Sequence, residues 1–246
     1  MFAFLASGCA STRQSDVKGF WLPASQDAWS KVPPAGLTLR RRDGTARFVA
    51  EPVLHNVVTV KAALEQVSGV HADLGLVEMD PPNALAFDYQ GRPVIAVSLS
   101  WLDQLGQDTD ALATTMGHEL AHIHLGHTGA ARKKREESAQ GSSQVLGTLL
   151  NLSGVPLGGA IAAIGVTAYA RSFTRDEERA ADDYGIRWAV AAGYDPCGRA
   201  RTMKMYQRLG VGGTTIPFLS THPGASERSD LANEYSRKIN NRACDE

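Results

Sequence analysis

His118-Glu119-Leu120-Ala121-His122 brings together the residue types that metal-assisted hydrolysis needs. Residues four apart differ by about 40° around an α-helix, so both imidazoles leave one face and can grip a single metal ion. Glu119 lies beside them, close enough to hydrogen-bond a water on that metal and not placed as a third ligand. A zinc ion with three protein ligands keeps one position open for water and lowers the pKa of that water to about 7. A neighbouring carboxylate can then take the water's proton and pass it to a leaving amine. The string therefore predicts metal ligation for His118 and His122 and general-base catalysis for Glu119. The plainer reading is an exposed helix face with two histidines and a glutamate. The context weighs against it: Asp108 is a good N-cap, and Leu112, Met116, Leu120 and Ile123 line the apolar side of a helix over 109–125.

A third ligand has to come from elsewhere. A metzincin-like extension would need Gly at 125 and His at 128, where the chain has Leu125 and Thr128. His127 lies about 140° around the helix from His122 and cannot join the same ion unless the helix breaks. His124 points away as well, and both read as surface or structural histidines. The acids of Arg175-Asp176-Glu177-Glu178-Arg179-Ala180-Ala181-Asp182 open a later helix, capped by Thr174 and closed near Gly193. A helix dipole explains Asp176 and Glu177 well, and Glu178 less well. Glu177 and Glu178 both stand as ligand candidates. Asp182, one turn after Glu178 on the same face, can accept a hydrogen bond from a ligand imidazole and fix its tautomer.

The elements that must hold these residues show in the periodicity. A hairpin is expected over 37–49, with Asp43-Gly44 as its turn. Val57, Val60, Leu64 and Val67 share one face of a helix over 57–70. Strands follow at 74–79, 84–89 and 94–98, then a helical stretch at 101–105. Beyond the acid-rich helix, one helix runs from Asp195-Pro196 to about Leu209, and a last one ends near Asn240. The stretch 145–170 carries no charge and is long enough to span a membrane. A crossing there would put His122 and Glu178 on opposite sides of a bilayer. Asn151, Pro156 and Gly158 also break it into short pieces. It reads as a helical hairpin packed near the site, resting on a membrane surface or buried in the core.

Composition removes several classes. With 25 Lys+Arg against 26 Asp+Glu the chain is no strongly basic nucleic-acid binder, so nucleic acid is excluded as a partner. Three cysteines, none in a Cys-x-x-Cys pair, exclude a disulfide scaffold and a zinc knuckle. Residues 1–9, an apolar run ending in small residues before Cys9, resemble a bacterial lipoprotein signal segment. That likeness makes Cys9 the lipidated anchor and 10–35, rich in Ser, Pro and Gln, a flexible tether to a domain over 36–246. Cys197 and Cys244 then remain as an expected pair in an oxidising compartment.

Arg175, Glu178, Ala181 and Asp182 match the string Arg-x-x-Glu-x-x-Ala-Asp of the M48 zinc metallopeptidases, which the chain resembles from Asn83 to Arg228. The resemblance implies an α+β, mostly helical zincin-like domain with a small sheet and an HExxH active-site helix. It implies Glu178 as third ligand to one Zn2+ per chain, with Asp182 and Arg228 behind the ligands. Pro82-Asn83-Ala84 resembles the head of the family's edge strand, beside which a substrate peptide could add as a strand. Ser220-Thr221-His222-Pro223 resembles its late His-Pro element, which would let His222 stabilise the tetrahedral intermediate or latch the open metal position. The implied activity is endopeptidase cleavage of unfolded or misassembled envelope proteins. Ala10 after Cys9 points to the outer membrane, facing the periplasm. The alternative is a non-proteolytic, chaperone-like assembly factor that holds extended polypeptide around a structural or latched zinc.

Overall fold

The computed structural model describes residues 19–22, 36–40, 46–77, 82–89, 91–129, 132, 173–210 and 225–244. Three apolar runs join β1 (Gly19–Leu22) in a four-stranded sheet of order β1-β4-β6-β5. They are β4 (Asp73–Val77), β5 (Ala84–Tyr89) and β6 (Arg92–Ser98). β4 and β6 run parallel, and β5 returns antiparallel to β6 as a hairpin with Ala84 opposite Val97. β4 and the second half of β6 are buried on both faces, which is why they read as near-continuous apolar runs. Side chains alternate across the sheet: Leu74, Leu76, Ile95 and Val97 enter the main core, while Val77, Leu85, Phe87, Val94 and Ala96 form a second cluster behind it.

β1 (Gly19–Leu22) pairs antiparallel with the outer side of β4. Residues 19–22 of the stretch expected as a tether are thus a strand of the sheet, and the rest of 10–35 lies outside the described residues. Phe20-Trp21 favours extended chain, and β4 without it would present an unpaired edge. The expected hairpin is present as β2 (Leu37–Arg40) and β3 (Ala46–Val49), paired from Leu37 opposite Val49.

Helix α1 (Glu51–Ser68) starts a turn and a half earlier than periodicity predicts. Pro52 in its first turn needs no intrahelical donor, and Gly69 in the left-handed region ends it. Short α2 (Leu99–Leu105) is capped by Ser98, and α3 (Thr109–His124) by Asp108, whose side chain accepts from the Ala111 N–H at 2.9 Å. Three further helices follow: α4 (Arg175–Ala191), α5 (Cys197–Gly210) and α6 (Ala225–Asn240). Thr174 and Glu177 close a reciprocal capping box at the start of α4. The main core joins α1, α3 and one face of the sheet, with Trp101, Met203 and Tyr206 fully buried among them.

The contact that matters most for function is between α3 and α4. A Cβ on Gly117 would lie 2.8 Å from the Gly185 carbonyl oxygen, and one on Gly185 would lie 2.5 Å from the His118 nitrogen. The two helix backbones touch at this pair, and only glycine allows it. That approach lays the first turns of α4 against the last turns of α3. Among the described residues no helix is long and apolar enough to cross a membrane, and the stretch 145–170 lies outside them.

Candidate metal centre

α3 presents His118 and His122 toward α4, which answers with Glu178. All three are buried, and one ligand atom from each falls within 4.8 Å of the others. The two histidine Nε2 atoms are 3.0 Å apart, with Glu178 Oε1 3.2 Å from His122 and Oε2 3.4 Å from His118. Such edges suit a tetrahedral ion holding its ligands at about 2.0–2.2 Å. Two imidazoles and a carboxylate, all withdrawn from water, are also a donor set that zinc accepts. Glu119, fully buried, follows His118 on the same helix.

Behind His118 the surroundings are charged. Its Nδ1 is 2.7 Å from Asp182 Oδ1. Asp182 is held in turn by two buried guanidiniums: Arg228 through Nε at 2.5 Å and Nη2 at 3.0 Å, and Arg199 through Nη2 at 2.5 Å. Arg228 also reaches Glu178 Oε2 with Nη1 at 2.9 Å, and its Nη2 lies 3.0 Å from the His118 Nε2. Burial pushes the Asp182 carboxyl up to about 6, against the pull of Arg228 and with a further push from Glu178. Arg199 comes from α5 and Arg228 from α6. A disulfide between Cys197 and Cys244, with Cα atoms 5.1 Å apart, ties the start of α5 to the chain just after α6.

Behind His122 the surroundings are aromatic. Its Nδ1 lies 2.9 Å from Nδ1 of His127, which is only 6 % exposed. Phe173 stacks on the His122 ring at 3.9 Å with the planes 19° apart, and Arg132 lies over the other ring at 5.1 Å. Glu177 is engaged in the capping box, its Oε2 accepting from the Thr174 N–H at 2.9 Å. Burial pushes the Glu177 carboxyl up, but that bond and the charges of His127 and Arg132 outweigh it and hold it below the ordinary range.

The structure thus brings His118, His122, Glu178, Asp182 and Arg228 into one cluster and assigns Glu177 to a cap. Asn83 and Ala84 are buried at the head of β5, the sheet-edge strand packed near α3. Cys9 and His222 lie outside the described residues. Four neighbours of the centre escape sequence reasoning. Arg199 and Phe173 stand in no recognisable spacing. Tyr206 reaches the site only through packing; burial and the Glu119 carboxylate push its hydroxyl well above the ordinary range, while the Trp101 indole draws it down. His127, expected as a surface or structural histidine outside the ligand set, lies against His122 because the helix ends before it. A left-handed glycine, Gly126 at φ 67°, was the available signal.

A profile of peptidase family M48 matches residues 50–236. The beta-barrel assembly-enhancing protease of Escherichia coli (strain K12) is 26 % identical over 196 residues, which are 75 % of this chain and 39 % of that protein. The putative beta-barrel assembly-enhancing protease of Vibrio cholerae is 29 % identical over 143 residues, 54 % of this chain and 28 % of that one. The alignments thus take in well under half of the length of these relatives. With its buried His-His-Glu cluster on two crossing helices, the chain belongs to peptidase family M48, as a zincin-like metallopeptidase domain.

Proposed function

We propose that the chain is a zinc endopeptidase of the bacterial cell envelope that cleaves unfolded or misassembled envelope proteins. The observation that carries the reading is the buried convergence of His118, His122 and Glu178 directly beside an intact Glu119. A structural zinc site has no use for a carboxylate at that position. When bound, the metal supplies a Lewis acid for the scissile carbonyl and lowers the pKa of a water. Glu119 takes the proton of the attacking water and passes it to the leaving amine. His118, His122 and Glu178 hold the ion, Asp182 orients His118, and Arg228 fixes both Asp182 and Glu178. His222 is assigned to the tetrahedral intermediate or to a latch on the open position.

The edge strand β5 offers the substrate a place to lie. Asn83 uses its N–H on Ser98 Oγ, its carbonyl on the Ser98 N–H and its Oδ1 on the Ala84 N–H, each at 2.9 Å. These bonds fix the head of β5, where an added strand would begin. A cavity of about 310 Å³ beside Glu178 and Asp182, lined also by Arg175, Arg179 and Glu227, gives room for a substrate side chain. The disulfide favours an oxidising compartment. The names of the relatives favour clients on the route to β-barrel assembly. Lipid on Cys9 would hold the domain at the outer membrane, facing the periplasm.

The decisive experiment is zinc-dependent cleavage of casein by the wild type and by Glu119→Gln. Loss of about 10²–10⁴-fold in rate with zinc still bound is expected. Cleavage that persists in Glu119→Gln overturns the mechanism. A wild type that binds zinc and cleaves nothing, together with a Glu119→Gln variant that still complements in cells, favours the holding role instead.

A further inference from the structure

A metal-ligating histidine binds through one ring nitrogen and needs a partner for the other, because that partner sets the tautomer and aims the ring. His118 has Asp182. At the outer nitrogen of His122, the atom 2.9 Å from Nδ1 is a ring nitrogen of His127. We infer that His127 is the positioning residue of the second ligand histidine, accepting the His122 Nδ1–H so that the Nε2 lone pair of His122 stays free for the metal. This rests on the metal-site reading above and extends it to a residue outside the ligand set.

Three observations carry the assignment. First, the chain is built to return His127 to this point. α3 ends at His124, Gly126 takes a left-handed φ of 67°, and the His127 N–H donates to the His122 carbonyl at 2.8 Å. The same residue is therefore tied to His122 through backbone and side chain together. Second, the contact is sheltered. His122 is fully buried and His127 is 6 % exposed, so water competes poorly for the shared proton. Third, the chemistry permits one arrangement when His122 faces a metal. Its Nε2 must be bare, so its proton is on Nδ1, and the facing Nδ1 of His127 must accept. Phe173, stacked on His122 at 3.9 Å, fixes the plane of the ring but offers no acceptor for its N–H. The His127 Nδ1 contact at 2.9 Å supplies that acceptor.

The test is zinc affinity by chelator competition, with the visible spectrum of the cobalt-substituted protein as a second readout. Wild type, His127→Phe and His127→Gln are compared, and folding is checked by far-UV circular dichroism. His127→Phe keeps the ring and loses the acceptor; an affinity about 10–100-fold weaker and a shifted cobalt spectrum are expected. His127→Gln can offer its carbonyl oxygen to the same N–H and should recover most of both. Wild-type zinc affinity and cobalt spectrum in His127→Phe overturn the inference, as does a His127→Gln variant no better than a folded His127→Phe. If the wild type itself binds no zinc, the metal-site reading falls first and this inference falls with it.

Discussion

The two ligand histidines, one helical turn apart on α3, are supported in opposite ways. Behind His118 stands a fully charged assembly in which Asp182 is pinned between Arg199 and Arg228, with Arg228 also on Glu178. Behind His122 stand a second imidazole and a stacked phenyl ring. Each side satisfies the same requirement, a fixed acceptor for the outer ring nitrogen, with different energetics. A buried carboxylate is costly unless it is paired, so the His118 side draws guanidiniums from two separate helices and needs α4, α5 and α6 all docked. The His122 side is local: it is completed by a five-residue return of the chain and by the residue just before the α4 cap. The charged side therefore ties metal binding to the global fold, and the aromatic side ties it to the end of one helix.

Removing Asp182 breaks this contrast most severely. Asp182→Ala takes the shared carboxylate from two buried guanidiniums and should cost about 3–5 kcal/mol of stability, measured by urea denaturation of the metal-free protein. A loss under about 1 kcal/mol would show that the charged side is not coupled to the fold. Next comes the disulfide, which joins the elements that deliver the two arginines and closes a sequence separation of 47. Cys197→Ser should cost about 2–4 kcal/mol and weaken zinc binding in parallel, because α5 and α6 are freed together. Unchanged zinc affinity in a destabilised variant would separate the arginines from the centre. The His127→Phe substitution acts on the other side and should weaken zinc about 10–100-fold while moving stability less than Asp182→Ala does. The smallest effect belongs to Glu177→Gln. Half of the capping box is altered, so about 0.5–1 kcal/mol is expected, with zinc affinity preserved, since Glu177 is a cap residue and not a ligand. A zinc affinity that collapses in Glu177→Gln would reverse that assignment.

Much of the architecture was legible because it depends on short-range patterns. Asp108 and Thr174 mark their helices by cap chemistry, and the buried strands β4 and β6 mark themselves by unbroken apolar runs. The spacing of His118 and His122 requires a shared face for any helix that contains it. The misreadings arose where the outcome depends on distant partners or on a local break. β1 is a strand because β4 has an open edge, and nothing near residue 19 announces β4. His127 reads from the sequence only as a surface or structural histidine, and its place against His122 depends on the chain turning back at Gly126.

The sequence by itself determined the shared face of His118 and His122 and the capped starts of α3 and α4. Those follow from a 3.6-residue period and from the hydrogen-bonding habits of capping side chains, which act within a turn or two. Only the tertiary structure decided which acid completes the cluster geometrically and what stands behind each histidine. Glu177 and Glu178 are adjacent, and about 100° of helix phase separates them. Which one faces His118 and His122 is settled by which face α4 turns toward α3. The approach of the two helices depends on Gly117 meeting Gly185 across the crossing, a contact between residues 68 positions apart that neither glycine reveals alone.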